Sequence, residues 1–198
     1  MKEMKMMISR TPRRYDLDCL NWPDLFPYKP QVAVEVSHSG SELHLHFMVT
    51  EKAVLSACET DRQKIWEDSC VEFFFSPRPD GIYYNLECNC IGKIYFCRGA
   101  NRSEREFLPP ESYELVRRRS SLGSEAFGLR EGDCSWELWL DVPACVYGLE
   151  SFEGLEAQGN FYKCGDRLPE RHFVTWAPID TPRPDYHRPE FFQTIVFE

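Results

Sequence analysis

The chain has 198 residues, a formal net charge of -9, and apolar and aromatic shares of 42% and 14%. That length suits one globular domain burying more than half of the surface its unfolded chain exposes, and the apolar content excludes intrinsic disorder. The acidic balance repels phosphate backbones and anionic bilayers, so neither nucleic acid nor a membrane is an expected partner.

The N-terminal stretch MKEMKMMISRTPRRYDL carries no apolar run of signal-peptide length, and no 18-residue apolar span occurs anywhere. The expectation is a cytoplasmic protein as the chain stands, or an extracytoplasmic one if a signal has been removed. Residues 1–30, with Pro23, Pro27 and Pro30, read as an arm packed on the rest of a single domain spanning 1–198.

Strand periodicity begins at residue 32. Val32, Val34 and Val36 alternate, SHSGSE supplies turn residues, and Leu43, Leu45, Phe47 and Val49 alternate again, which predicts a hairpin. His44 and His46 then share the opposite, solvated face. The segment 51–66, EKAVLSACETDRQKIW, is the best candidate for a helical turn or loop, and CVYGLESF (145–152) for another short one.

WEDSCVEFFFSP (66–77) holds a nearly all-apolar run, as in a strand covered on both faces, before a Pro/Gly turn. IYYNLECNCIGKIYFC (82–97) predicts a hairpin bending at Gly92. CSWELWLDVP puts Trp136, Leu138, Leu140 and Val142 on one side, with Trp139 on the other; NFYKC, HFVTW and FFQTIVF complete the set. Seven or more short strands between turn residues imply an all-β protein. The expected architecture is an antiparallel β-sandwich, jelly-roll or immunoglobulin-like, with short helical turns.

Nine cysteines, an odd count, fit reduced thiols used as small buried hydrophobes. Cys88 and Cys90 share a strand face with Leu86, which favours core packing over a metal site.

The chemistry concentrates around Glu72. If Val71, Phe73 and Phe75 face the core, Cys70, Glu72 and Phe74 share the other face, and the same parity separates Asn85, Glu87 and Asn89 from Leu86 and Cys88. Aligned on one sheet, these polar residues form a strip inside an apolar region, and such a strip needs partners. Sugar hydroxyls, which both donate and accept, are suitable ones, and the C–H face of a pyranose lies against an aromatic ring. Trp66 at the mouth of the strand and Trp176 at the end of HFVTW are the candidate rings; Asn160 or Lys163 of NFYKCGD could reach the same sugar, and His172 or His187 could line it. The competing reading of Glu72 is a buried acid paired with Lys163 or an arginine.

WEDSCVEFF, YNLECN, WELWLDVP, NFYKCGD and VTWAP followed by PDYHRPEFF, in that order, resemble the family 9 carbohydrate-binding modules, and most closely the free-standing bacterial branch, from about Val32 to the C-terminus. The resemblance implies a β-sandwich that holds a terminal sugar between two tryptophans without catalysis. By position Trp66 and Trp176 match the platforms, Glu72 the strand carboxylate and Asn89 an amide. Sugar-binding members tend to carry a basic donor near position 87, where this chain has Glu87. The site expected is therefore Trp66, Glu72, Glu87, Asn89, Lys163 and Trp176, with a mono- or oligosaccharide as partner. No cofactor is expected, except that members can hold structural calcium, for which Asp68, Asp166 and Asp185 are the loop acids to inspect.

Two other functions fit the same residues. Glu72 and Glu87 could act as the paired carboxylates of a glycoside hydrolase, which needs two acids about 5–10 Å apart. A sandwich that has lost its sugar site and serves as an interaction domain is the third reading.

Overall fold

Alternation and β-branched content set the architecture. The computed structural model describes residues 4–198. Its elements in chain order are β1 (Lys5–Ile8), β2 (Arg13–Asp16), β3 (Gln31–His38), β4 (Glu42–Ser56), β5 (Cys70–Ser76), β6 (Tyr83–Asn89), β7 (Ile94–Gly99) and β8 (Arg105–Phe107). Then come α1 (Pro110–Leu115), β9 (Arg117–Ser120), β10 (Phe127–Pro143), β11 (Glu156–Cys164), β12 (Phe173–Thr175) and β13 (Gln193–Phe197).

The strands form two sheets. The smaller has the order β2-β3-β4-β10-β9; the larger runs β1-β13-β11-β5-β6-β7-β8, with β12 on β11. All pairings are antiparallel except β1 with β13. Between the sheets lies a continuous apolar core. Val71, Phe73 and Phe75 enter it from β5, and Val34, Leu45, Phe47, Trp136 and Leu138 enter from the smaller sheet. Phe73 stacks on Phe161 with ring centroids 4.3 Å apart.

The hairpin at residues 31–56 forms as the alternation requires, turning at Gly40, whose φ of 92° is the left-handed region that a side chain avoids. On its solvated face His44 and His46 each lie 2.6 Å from an acid of β10, Asp141 and Glu137. Trp136 is buried and donates its indole N–H to Glu51, whereas Trp139 lies outside, stacked on His46.

Two expectations are corrected. The segment 51–66 is a helical turn or loop only in its second part: Glu51–Ser56 continues β4, whereas residues 57–64 form a loop and Ile65–Glu67 makes one 3-10 turn. Ala53 and Val54 pair with Glu131 and Arg130 of β10 between register shifts, which overrides local helix propensity. The segment 4–30 is also more than a packed arm, because β1 joins the larger sheet and β2 the smaller. The second candidate turn is present as a 3-10 turn at Ala144–Tyr147.

A second apolar cluster covers the other face of the larger sheet. Phe74, Tyr83 and Tyr162 rise from the strands, and Trp22, Ile179, Tyr186 and Phe192 descend from the segments before β3 and after β12. These two segments wall a cavity against the sheet.

Candidate functional site

The cavity, about 510 Å³, has Glu72 and Glu87 among its lining residues. Their placement follows from register. Tyr162 of β11, Glu72 of β5, Glu87 of β6 and Tyr95 of β7 stand in one row across the sheet. Residues at one register position share a face, so the row sets two carboxyls side by side between two aromatic rings.

Both acids are 3% exposed. Burial pushes each carboxyl up from its ordinary range, and the neighbouring Glu87 raises Glu72 further. Glu87 reaches about 7 because burial outweighs the lowering effect of the Arg105 guanidinium. The pair therefore keeps its protons to higher pH than ordinary carboxylates do.

Glu87 Oε1 accepts 2.9 Å from the Asn85 amide, with Arg105 Nη1 at 3.5 Å, while Glu87 Oε2 has no partner among the described residues. Glu72 Oε1 accepts from the Cys164 thiol at 3.1 Å. A buried acceptor without a donor costs about 1–3 kcal/mol, so the floor is built at a cost that a hydroxyl donor from a ligand would offset.

Arg105 comes from β8, two strands beyond β6. Its guanidinium lies over the Tyr95 ring at 5.2 Å and its Nη1 stands 3.2 Å from His187 Nε2. Arginine has no acceptor, so His187 Nε2 accepts and Nδ1 carries the proton, donating to Tyr83 Oη at 2.8 Å. Burial, with Arg105 and Arg102 adding to it, holds His187 down at about 2, which keeps the ring neutral. Arg105 thus supplies a basic donor beside Glu87, from a strand too short to be seen in the sequence.

Trp66 sits on the 3-10 turn Ile65–Glu67 as a cavity wall, half-buried and edge-on to Tyr95 at 5.3 Å. The Asp166 backbone N–H donates to its carbonyl at 3.2 Å, tying the turn to the end of β11. Phe26 and Phe173 also line the cavity, packed at 4.9 Å.

The structure brings together three of the six expected site residues, Trp66, Glu72 and Glu87, and places the other three away from the cavity. Lys163 shares the sandwich-facing side of β11 with Phe161; it is fully buried, its Nζ 2.8 Å from Glu51 and 2.7 Å from His172. Trp176 is 5% exposed and packs edge-on against Tyr15 at 6.5 Å. Asn89 donates to Asp68 and Ser56 and accepts from Lys93, which closes the β6–β7 turn. Asn160 is spent on Ala177, and Glu72 is paired neither with Lys163 nor with an arginine. His187 lines the cavity and His172 does not.

The three loop acids are separately engaged. Asp68 accepts from the backbone of Ala57 and Cys58, Asp166 from Arg171, and Asp185 from Arg102. The described residues do not gather them into one cluster of metal-ligating groups.

A family model, carbohydrate-binding family 9, matches residues 2–197. The chain belongs to carbohydrate-binding family 9. Within the solved structures, this family 9 chain is similar to a Bacteroides uniformis protein provisionally described as carbohydrate-binding, at 37% identity and a TM-score of 0.95 with both chains fully covered. Two structures of a family 9 module from Caldicellulosiruptor kristjanssonii share the fold. The glucose complex superposes at a TM-score of 0.61 and 9% identity, covering 98% of this chain and 96% of that one. The cellotriose complex superposes at 0.60 and 10%, covering 98% and 94%. Comparison with curated proteins gives no match.

Proposed function

We propose that the protein binds a neutral saccharide in the cavity on the outer face of its larger sheet and does not transform it. In this reading a pyranose lies against Trp66 with its apolar face, and adjacent hydroxyls reach the floor at Glu72 and Glu87, with Arg105 donating from the side. The observation that carries the proposal is the unpartnered, buried Glu87 Oε2 beside Glu72 on the floor of a cavity with an aromatic wall. Family membership supports it, and the glucose and cellotriose complexes of the Caldicellulosiruptor module suggest first ligands to try.

Hydrolysis is the weaker reading. Glycoside hydrolases set their two acids on either side of the scissile bond, whereas Glu72 and Glu87 rise side by side from neighbouring strands and meet a ligand from one direction.

Fluorescence titration with glucose, cellobiose and cellotriose tests the binding reading. A saturable change is expected in the wild type and in Trp176→Phe, with at least about tenfold weaker binding in Trp66→Ala, equivalent to 1.4 kcal/mol. Equal loss in both variants would remove the cavity from the proposal, and release of reducing ends from cellotriose would replace binding with hydrolysis.

A further inference from the structure

Beneath the Trp66 wall the sheet register assembles a set of donors of which saccharide binding uses only Glu72. Cys70 of β5 stands opposite Cys164 of β11, and Glu72 follows Cys70 by two residues on the same strand face. One donor atom from each of the three lies within 4.8 Å of the other two, and all three residues are buried. We infer that Cys70, Cys164 and Glu72 form a binding site for a thiophilic divalent cation of the zinc class, with its fourth coordination position open to the cavity.

The spacing fits the ion. Zinc–sulfur and zinc–oxygen bonds of about 2.3 and 2.0 Å in a tetrahedron set neighbouring donors roughly 3.5–3.8 Å apart. Cys164 Sγ and Glu72 Oε1 are 3.1 Å apart and the other two donor pairs lie within 4.8 Å, so a cation among them asks for shifts of up to about 1 Å by rotating side chains. The two thiolates are soft donors that favour zinc or cadmium over magnesium or calcium, and a carboxylate oxygen is a ligand zinc accepts beside them.

Access and surroundings fit as well. Cys164 and Glu72 line the cavity, so an ion enters from solvent without opening the sheet, and Cys70 lies fully buried beside Cys164 on the neighbouring strand. Among the described residues no cation lies within ion-pair distance of Glu72, whose one side-chain hydrogen bond is the Cys164 thiol. Glu72 can ionise in this buried position only beside a cation, and a bound metal would supply that charge. Glu87 stands opposite Glu72 in register with its Oε2 unpartnered, placed to accept from a water or hydroxyl held at the open position. Binding displaces two thiol protons, and the carboxyl proton where present, to solvent, so that one divalent cation, two thiolates and a carboxylate leave one net negative charge facing Arg105. The site does not depend on the saccharide reading; it would bind its ion with the cavity otherwise empty.

The test is a titration of the reduced, chelator-stripped full chain with Cd2+. One equivalent is expected to give a thiolate-to-metal charge-transfer absorption, lost in Cys70→Ser/Cys164→Ser and retained with at least tenfold weaker binding in Glu72→Gln. Because serine at these packed positions could impair folding, the wild type loaded with cadmium-113 gives an independent readout, metal–proton couplings to the Cβ protons of Cys70 and Cys164. Absorption that survives in the double serine variant, couplings to any other cysteine, or no absorption at one equivalent would overturn the inference.

Discussion

Glu87 carries the clearest pH signature at the residue scale. Its pKa in the fold lies near 7, above the ordinary carboxylate value of 4.5, so the native state binds a proton more tightly than the unfolded chain does. The stability this contributes is complete below pH 4.5 and is lost as pH rises through about 7; Glu72, also raised, acts in the same direction. In metal-free buffer the wild type is expected to be less stable at pH 8 than at pH 5 toward urea, and Glu87→Gln to lose about 2–3 kcal/mol of that difference. A pH dependence equal in both would place the proton elsewhere. Lys163 makes a second prediction. Lys163→Met leaves Glu51 and His172 in the core without their cation and should cost about 3–5 kcal/mol, read from the urea midpoint, while the folded fraction binds saccharide as before. The strand parity of Glu72 and Glu87 was legible because each stands between core-facing apolar residues, Val71 and Phe73 for the first and Leu86 and Cys88 for the second. Lys163 was not, since its partner Glu51 lies on a strand of the other sheet and no local pattern joins them. Trp176 misled for a related reason: a tryptophan ending a strand looks the same whether it caps the core, as here, or walls a pocket.

At the scale of elements, β8 matters more than its three residues suggest. Gly99 ends β7 opposite Arg105, and a Cβ there would meet the Glu104 carbonyl at 2.2 Å and Arg105 Cα at 2.6 Å. These are backbone atoms, so no rotamer relieves the contact and the strand itself must move. Gly99→Ala is expected to cost about 1–3 kcal/mol of stability and to draw Arg105 away from Glu87, weakening saccharide binding more than a surface substitution such as Lys52→Ala. Unchanged affinity would show that Arg105 does not serve the site. The hairpins of β3–β4 and β6–β7 were readable from alternation and turn residues, whereas β8 was too short to show a period. The extension of β4 through Ser56 was hidden because its pairing with β10 is interrupted by bulges, and α1, only Pro110–Leu115, offered too few turns for helical periodicity.

For the whole molecule, the two sheets divide the work. The space between them is filled by phenylalanine, leucine and valine from both layers, and the outer face of the larger sheet is covered by the segments before β3 and after β12, except at the cavity. Segments far apart in the chain meet there: Phe26, Trp66, Glu87, Arg105 and His187 share one wall or floor. Strand content and the sandwich were legible from composition and periodicity, and the parallel pairing of β1 with β13 was not, because no spacing rule links the two ends of a chain. The most direct measurement is an amide and indole chemical-shift map of the labelled protein titrated with cellotriose. Shifts are expected to concentrate at the Trp66 indole and the amides of residues 70–73, 86–88 and 104–106. Shifts gathered instead around Trp139 and His46 on the opposite sheet, or none at saturating sugar, would contradict saccharide binding in this cavity.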